Sequence, residues 1–442
     1  MPQPIRPLRP RAPGALALAM SLVLSLALPL ALAAAPAAPA GEDGAAGSPT
    51  AGPRGPGAVA IAAELASAAG TTRLTLTLSQ AIDARAFVME RPDRAVIDLP
   101  EVNFQLGPET GQRRDGLVTS FRYGLFAPGR SRIVVDLAGP AAVDRVETVR
   151  KPDGSVLLTI PFRRVEREAF RRAVVAIDPA PPATPAPPAP AAGDARPLIV
   201  VDAGHGGTDP GAIAASGVFE KDIVFGFAQA LADQLTASGR YRVRMTRDRD
   251  VFVPLAERVR MAREARADLF VSIHADSISA APQVKGATIY TGSERATDAE
   301  SARLAERENR ADAAAGTESG TGPGDVTDIL QELTLRETRG FSGGFARHLM
   351  GKLAPVMEMS GKPHREAGFV VLRSPDVPSV LVELGYLSSK SDLEKLLSPE
   401  WRAQVTGSMA LAVNQFFSGR ASLFRPNPAP PRRSAAIAPV SP

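Results

Sequence analysis

Apolar and polar residues alternate in Leu74-Thr75-Leu76-Thr77-Leu78, and looser versions of that rhythm occur in Ala95-Val96-Ile97-Asp98-Leu99-Pro100, Arg132-Ile133-Val134-Val135-Asp136-Leu137 and Val156-Leu157-Leu158-Thr159-Ile160. A period of two predicts strands with one buried face. The Gly, Pro and Asp residues that break the runs at short intervals predict an all-β sandwich over residues 59–165. Within it, Val96-Ile97-Asp98-Leu99 is echoed by Val134-Val135-Asp136-Leu137, which points to internal pseudo-symmetry.

After residue 198 the rhythm changes. Leu198-Ile199-Val200-Val201, Leu269-Phe270-Val271 and Val380-Leu381-Val382 are continuous apolar runs, the mark of parallel strands buried on both faces. Between them Val224, Phe227, Leu231 and Leu235 recur at helical spacing, in a helix that opens near Glu220 and stops at Ser238-Gly239. A strand is predicted at Tyr241–Met245, a helix from about Pro254 to Ala265, further strands at Ala287, Phe369 and Ser379, and a last helix through Trp401 to Phe417. Alternating elements predict an α/β domain over 198–418, a mostly parallel sheet flanked by helices. One stretch, 294–339, is too long for an ordinary connection. It holds the Gly-rich run from Ala315 to Gly324 and a helical stripe of Val326, Ile329, Leu330 and Leu333, and is expected to be a helical insertion.

The remaining segments have no such period. Arg6, Arg9 and Arg11 precede an apolar stretch from about Gly14 to Leu32 and then Ala33-Ala34-Ala35, the layout of a cleaved secretory signal over 1–35. Pro29 and the small-residue site favour cleavage over a retained anchor, so no stable membrane span is expected afterwards. Residues 36–58 and the tail 419–442 are expected to be disordered. The Pro/Ala-rich linker 166–197 should favour extended polyproline II and space the two domains.

Composition narrows the chemistry. The chain of 442 residues has no cysteine, which excludes disulfides, thiolate metal sites, cysteine nucleophiles and lipid attachment at cysteine. Any metal must therefore use nitrogen and oxygen ligands. The net charge of +4 comes mostly from the three arginines ahead of the apolar stretch, and no basic block with interleaved aromatics occurs, so nucleic-acid binding is disfavoured.

Four histidines are present, and two follow buried runs: His205 in Val201-Asp202-Ala203-Gly204-His205-Gly206-Gly207 and His274 in Ser272-Ile273-His274-Ala275-Asp276. Strand ends of this kind deliver side chains to the carboxyl edge of a parallel sheet, where α/β folds build their sites. His348 and His364 lack that setting. Glu220, at a helix start, and Glu383, behind Val380-Leu381-Val382, are the candidate acids. Two imidazoles, one carboxylate and an open position for water form a recurrent catalytic zinc arrangement, and a remaining carboxylate is then free to take a proton. Gly204-His205-Gly206-Gly207 lacks both the dinucleotide and the P-loop spacing. Asp202 reads either as a partner for a ligand histidine or as a turn cap.

These motifs, with Asp209-Pro210-Gly211-Ala212, Glu220-Lys221-Asp222, Met245-Thr246-Arg247 and Val382-Glu383, resemble the zinc-dependent N-acetylmuramoyl-L-alanine amidases of type 3, over about Leu198 to Phe417. The resemblance implies that His205, Glu220 and His274 ligate one Zn²⁺, that Glu383 is the catalytic acid/base, and that the substrate is the amide between N-acetylmuramic acid and L-alanine in peptidoglycan. Asp276 stands where this family often carries Asn, while Arg247 and Arg258 match arginines it often shows. The β-segment is similar to the AMIN domain that precedes such amidases in Gram-negative bacteria, which implies envelope targeting and peptidoglycan binding. Septal amidases of this kind carry an insertion over the zinc that a LytM-domain activator displaces. Glu300, Glu306, Glu308, Asp328 and Glu332 are the acids available to cap the metal. The implied setting is a periplasmic monomer active in cell-wall remodelling and daughter-cell separation. The alternatives are a zinc peptidase acting on another peptidoglycan bond and a non-catalytic peptidoglycan-binding protein.

Overall fold

The computed structural model describes residues 57–107, 109–174, 194–278, 284–317 and 329–423. The expected signal, the first linker up to residue 56, most of the second linker, the tail beyond 423, Val326, Asp328 and the side chains of Ile329, Leu330, Glu332 and Leu333 lie outside them. Among the described residues no helix is long and apolar enough to cross a membrane.

The N-terminal part is all β. Its strands are β1 (Ala58–Ala68), β2 (Thr71–Leu78), β3 (Arg85–Met89), β4 (Arg94–Pro100), β5 (Val102–Phe104), β6 (Val118–Ala127), β7 (Arg130–Leu137), β8 (Ala141–Val143), β9 (Glu147–Arg150) and β10 (Val156–Arg164), followed by the short helix α1 (Arg167–Ala173). One sheet runs β5-β1-β2-β10-β8 with β9 also on β10, and the second runs β3-β4-β7-β6. Alternation explains the packing: Leu74, Leu76 and Leu78 of β2 and Leu158 and Ile160 of β10 meet Ala95, Ile97 and Leu99 of β4 and Ile133 and Val135 of β7 in one core.

The C-terminal part comprises β11 (Leu198–Ala203), α2 (Glu220–Ala237), β12 (Arg242–Met245), α3 (Leu255–Glu264), β13 (Leu269–His274), β14 (Ala287–Gly292), α4 (Ala299–Glu308), α5 (Ala311–Ala314), α6 (Ile329–Leu353), β15 (Met359–Ala367), β16 (Ser379–Glu383), α7 (Lys390–Leu396) and α8 (Pro399–Leu423). The sheet order is β12-β11-β13-β16-β14-β15; only the β14–β16 pair is antiparallel. Every residue of β11, β13 and β16 is buried, which is why their sequences are continuous apolar runs rather than alternating ones. Ile199, Val201, Val271 and Val382 face a core closed by α2, α6 and α8, whereas Val200, Phe270 and Leu381 face a smaller core with Tyr290, Leu304 and Phe369. The stripe Val224, Phe227, Leu231 and Leu235 is the buried face of α2, and Gly239, with φ +66°, ends that helix.

Several sequence expectations change. The start of the expected extended linker is helix α1, with Phe170 buried in the β core, and α8 runs to Leu423, past the expected domain end at 418. The strand expected at Phe369 is a turn of 3₁₀ helix at Val370–Leu372, and the edge strand β15 lies earlier, in the polar Met359–Ala367. Phe369, Val371 and Leu372 owe their apolarity to plugging the smaller core, while an edge strand paired on one side tolerates Lys, His and Arg. Helix α6 starts inside the expected insertion but continues into the main core through Phe345, Leu349 and Leu353.

Candidate metal and catalytic site

Three parallel strands end side by side. In register His274 of β13 lies against Glu383 of β16, and Gly204, just past β11, donates its N–H to the Ile273 carbonyl at 3.1 Å. A Cβ at Gly204 would lie 2.5 Å from the His274 ring, so only glycine admits the imidazole there. His205 itself adopts φ +57°, a left-handed conformation that costs energy for a residue with a Cβ and turns its ring toward His274. The two rings stand 4.9 Å apart at 76°.

That strain is held by a buried network. Asp202 accepts from Thr246 and Ser272 hydroxyls, each at 2.6 Å, and from Arg258 at 2.7 Å. Arg258 also donates to the carbonyls of Ala203 at 2.7 Å, His205 at 2.8 Å and Val253 at 2.9 Å. Burial alone would raise the Asp202 carboxyl, but Arg258 and the two hydroxyls outweigh it and hold it below its ordinary value. Asp202 thus braces the loop and does not touch a histidine. Arg247 donates to carbonyls of Ala203, Gly204 and Lys221, so both arginines brace the site's backbone.

His205 Nδ1 pairs with Asp209 Oδ2 at 2.8 Å, which fixes the ring and turns Nε2 inward as a lone-pair donor. His205 Nε2 lies 3.1 Å from Glu220 Oε1 and 3.5 Å from Glu308 Oε2; His274 Nδ1 lies 3.3 and 3.4 Å from the same two oxygens. Among the described residues neither ring nitrogen has a hydrogen-bond partner, although both are buried. Two unpartnered imidazole nitrogens and carboxylates converging on one point are what a cation requires, and ligand atoms of His205, His274 and Glu308 lie within 4.8 Å of one another in a buried cluster suited to one metal ion. Glu220, wholly buried at the head of α2, is aimed by two backbone donors, Ala275 N–H to Oε1 and Ala212 N–H to Oε2, both at 2.9 Å.

Glu383 is also wholly buried. Its Oε2 accepts from the Asp276 N–H at 3.1 Å, and its Oε1 has no hydrogen-bond partner among the described residues. Burial, reinforced by Asp276, Glu220 and Glu308, pushes its carboxyl well above the usual range. A carboxyl with one anchored and one free oxygen is equipped to receive and release a proton.

Of the three described candidate acids of the insertion, Glu308 reaches the site. Glu300 pairs with Arg365 at 2.8 Å and Glu306 with Arg310 on the surface. Ser301, Leu304, Ala305 and Glu308 form the buried face of α4, so an acid occupies the i+7 position of an inward stripe. An acid on that inward stripe is the sequence signal that sets Glu308 apart from Glu300 and Glu306, whereas nothing comparable in the sequence marks the role of Asp209. Next to Glu308, Arg307 pairs with Asp276. A cleft of about 570 Å³ opens beside the cluster, lined by His205, Phe219, Lys221, Arg307 and, from the β-domain, Arg122 and Tyr123. His364, on the edge strand β15, bonds Thr291 of the neighbouring β14, outside the cluster.

Comparison with known proteins gives the following. The family model described as N-acetylmuramoyl-L-alanine amidase matches residues 199–415, and that of the AMIN domain matches 62–157. N-acetylmuramoyl-L-alanine amidase AmiC of Neisseria meningitidis serogroup B is 32% identical over 375 residues, covering 78% of this chain and 87% of that protein. The protein of the same name from Escherichia coli is 29% identical over 384 residues, covering 83% and 91%. Among solved structures, the catalytic domain of CwlV, an N-acetylmuramoyl-L-alanine amidase from Bacillus (Paenibacillus) polymyxa var. colistinus, is 24% identical with a TM-score of 0.38, covering 50% of this chain and 98% of that one.

Proposed function

The chain belongs to the N-acetylmuramoyl-L-alanine amidase family and hydrolyses peptidoglycan at the amide between N-acetylmuramic acid and L-alanine; from that premise we propose how its residues do so. His205, Glu220 and His274 would hold one zinc ion, Glu383 is the acid/base, and Glu308 closes the site in the resting state. The observation that carries this reading is the pair of buried, unpartnered imidazole nitrogens beside a carboxyl with one free oxygen.

Zinc bound there would polarise the scissile carbonyl and bring a water within reach of deprotonation near neutral pH. Asp209 holds His205 in the tautomer whose Nε2 can ligate, and the Ala212 and Ala275 amides hold Glu220 in place. Glu383 Oε1 accepts the proton of the attacking water and returns it to the departing alanine nitrogen. Its raised affinity for protons, set by burial and neighbouring carboxylates, suits the second half of that cycle. Glu308 at the two imidazoles fills a position that water or substrate needs, so turnover requires its withdrawal, and displacement by a LytM-domain activator is the fitting trigger. Residues 59–165 serve as the wall-binding domain and 198–418 as the catalytic domain of a monomer secreted to the periplasm, where it acts in cell-wall remodelling and daughter-cell separation.

Digestion of purified sacculi with and without a chelator tests the activity. Free stem peptides that disappear with chelator are the expected result. Fragment masses showing cleavage within the peptide would instead favour a peptidase, and no fragments from a zinc-loaded Glu308→Ala protein would leave only a binding role.

A further inference from the structure

We propose that the outer face of the four-stranded sheet, around Val96 and Val134, is a receptor surface for this chain's own segment 311–317, through which the β-domain holds Glu308 at the metal site. The inference rests on the reading of Glu308 as the resting-state acid.

The pseudo-symmetric echo in the sequence is one half of this surface. Strands β4 and β7 are antiparallel, with Arg94 opposite Asp136, Val96 opposite Val134 and Asp98 opposite Arg132. Each strand reads Arg-x-Val-x-Asp, so a local two-fold relates the pair, and each arginine bonds the other strand's aspartate: Arg94 Nε to Asp136 at 3.0 Å, and Arg132 to both oxygens of Asp98 at 2.6 and 2.9 Å. Each arginine also directs its Nη1 away from that pair, and both Nη1 groups donate to the same short segment. Arg94 donates to the Ala313 carbonyl and Arg132 to the Gly316 carbonyl at 2.9 Å. Between them the methyls of Val96 and Val134 lie 2.9 and 3.2 Å from where a Cβ on Gly316 would be, and Gly316 has φ +71°.

This face points away from the sandwich core. Ala95, Ile97, Ile133 and Val135 face that core, whereas Val96 and Val134 form a separate cluster with Phe87, yet both valines are completely buried. Arg132 is likewise buried, its guanidinium 3.6 Å from the Phe126 ring centre. A sandwich's outer face is ordinarily solvated; here the segment covers it. Ala315 is buried among Phe126, Ala127 and Phe252, and Asp312 accepts the Leu255 N–H at 2.9 Å, so the segment is wedged between the β-domain and the catalytic domain. It begins three residues after Glu308, and Asn309 and Arg310 between them continue the turn from α4. Release of one end therefore frees the other.

The test measures hydrogen exchange of amides 299–317 in the full-length, zinc-loaded protein, with basal sacculus hydrolysis read in parallel. Arg94→Gln weakens the receptor, and Gly316→Leu disrupts the segment from outside the β-domain, so a folding defect in one domain cannot produce both results. Exchange about tenfold faster over 299–317 in both variants, with β11 and β13 protected as in the parent, is the expected result. Parental protection of the segment in either folded variant overturns the proposal. Faster exchange without a rise in hydrolysis would leave the receptor standing and refute Glu308 as the gate. A Glu308→Ala protein that is active while both surface variants keep parental exchange would do the reverse.

Discussion

At the residue scale the site is defined by what each polar atom lacks. His205 Nε2, His274 Nδ1 and Glu383 Oε1 are buried without partners, while their second atoms, or the carboxylates between them, are anchored. Glu383→Gln preserves volume and the Asp276 N–H contact but cannot shuttle a proton, so hydrolysis should fall by about 10²–10⁴-fold with zinc content unchanged. Elemental analysis alongside sacculus digestion checks this, and near-parental turnover would remove Glu383 from its role. Arg258 illustrates a different dependence. Its replacement by Met strands the buried Asp202 carboxylate and three carbonyls, and stability should drop by about 3–5 kcal/mol in denaturant titration. A loss below about 1 kcal/mol would mean that Asp202 finds another partner.

At the element scale the decisive piece is α4. Asp298 caps it by accepting the Ser301 N–H at 2.9 Å, and the Ser301 donors, with Arg365 and Lys362 nearby, hold its carboxyl down to about 2. Because the folded value lies below the ordinary one of 3.8, the cap's contribution is complete above that value and disappears as pH falls toward about 2. Asp298→Ala removes about 1 kcal/mol from α4 at neutral pH. With Glu308 as the gate, basal hydrolysis should rise up to about fivefold without any activator, measured by dye release from labelled sacculi. Unchanged release would show that the cap does not limit opening. The parallel strands behind the site are less adjustable, since each is packed on both faces.

For the whole molecule, two domains contribute to one cleft, with Arg122 and Tyr123 of the β-domain across from His205 and Phe219. The Glu383→Gln protein, expected to be inert, should pellet with purified peptidoglycan, and deletion of residues 57–165 should reduce pelleting several-fold if the β-domain binds the wall. Equal pelleting of both forms would assign wall binding to the catalytic domain alone.

Periodicity determined the two fold classes, because burial on one face or two is written directly into alternating or continuous apolar runs, as in Leu74–Leu78 against Leu198–Val201. The strand-end positions of His205, His274 and Glu383 were legible for the same reason: a residue just past a buried run must emerge at the sheet's edge. The edge strand β15 and the 3₁₀ turn after it were not, because apolarity reports burial and not hydrogen-bond pattern. The inward i+7 position of Glu308 is legible in the sequence, but only the docking of α4 brings that acid, and neither Glu300 nor Glu306, to the two histidines. Tertiary structure also decided what the echoed Val-x-Asp pattern is for. Two strands 38 residues apart become a two-fold surface only when paired in register, and the arginines that pair with its aspartates each turn Nη1 to a segment more than 170 residues further along the chain.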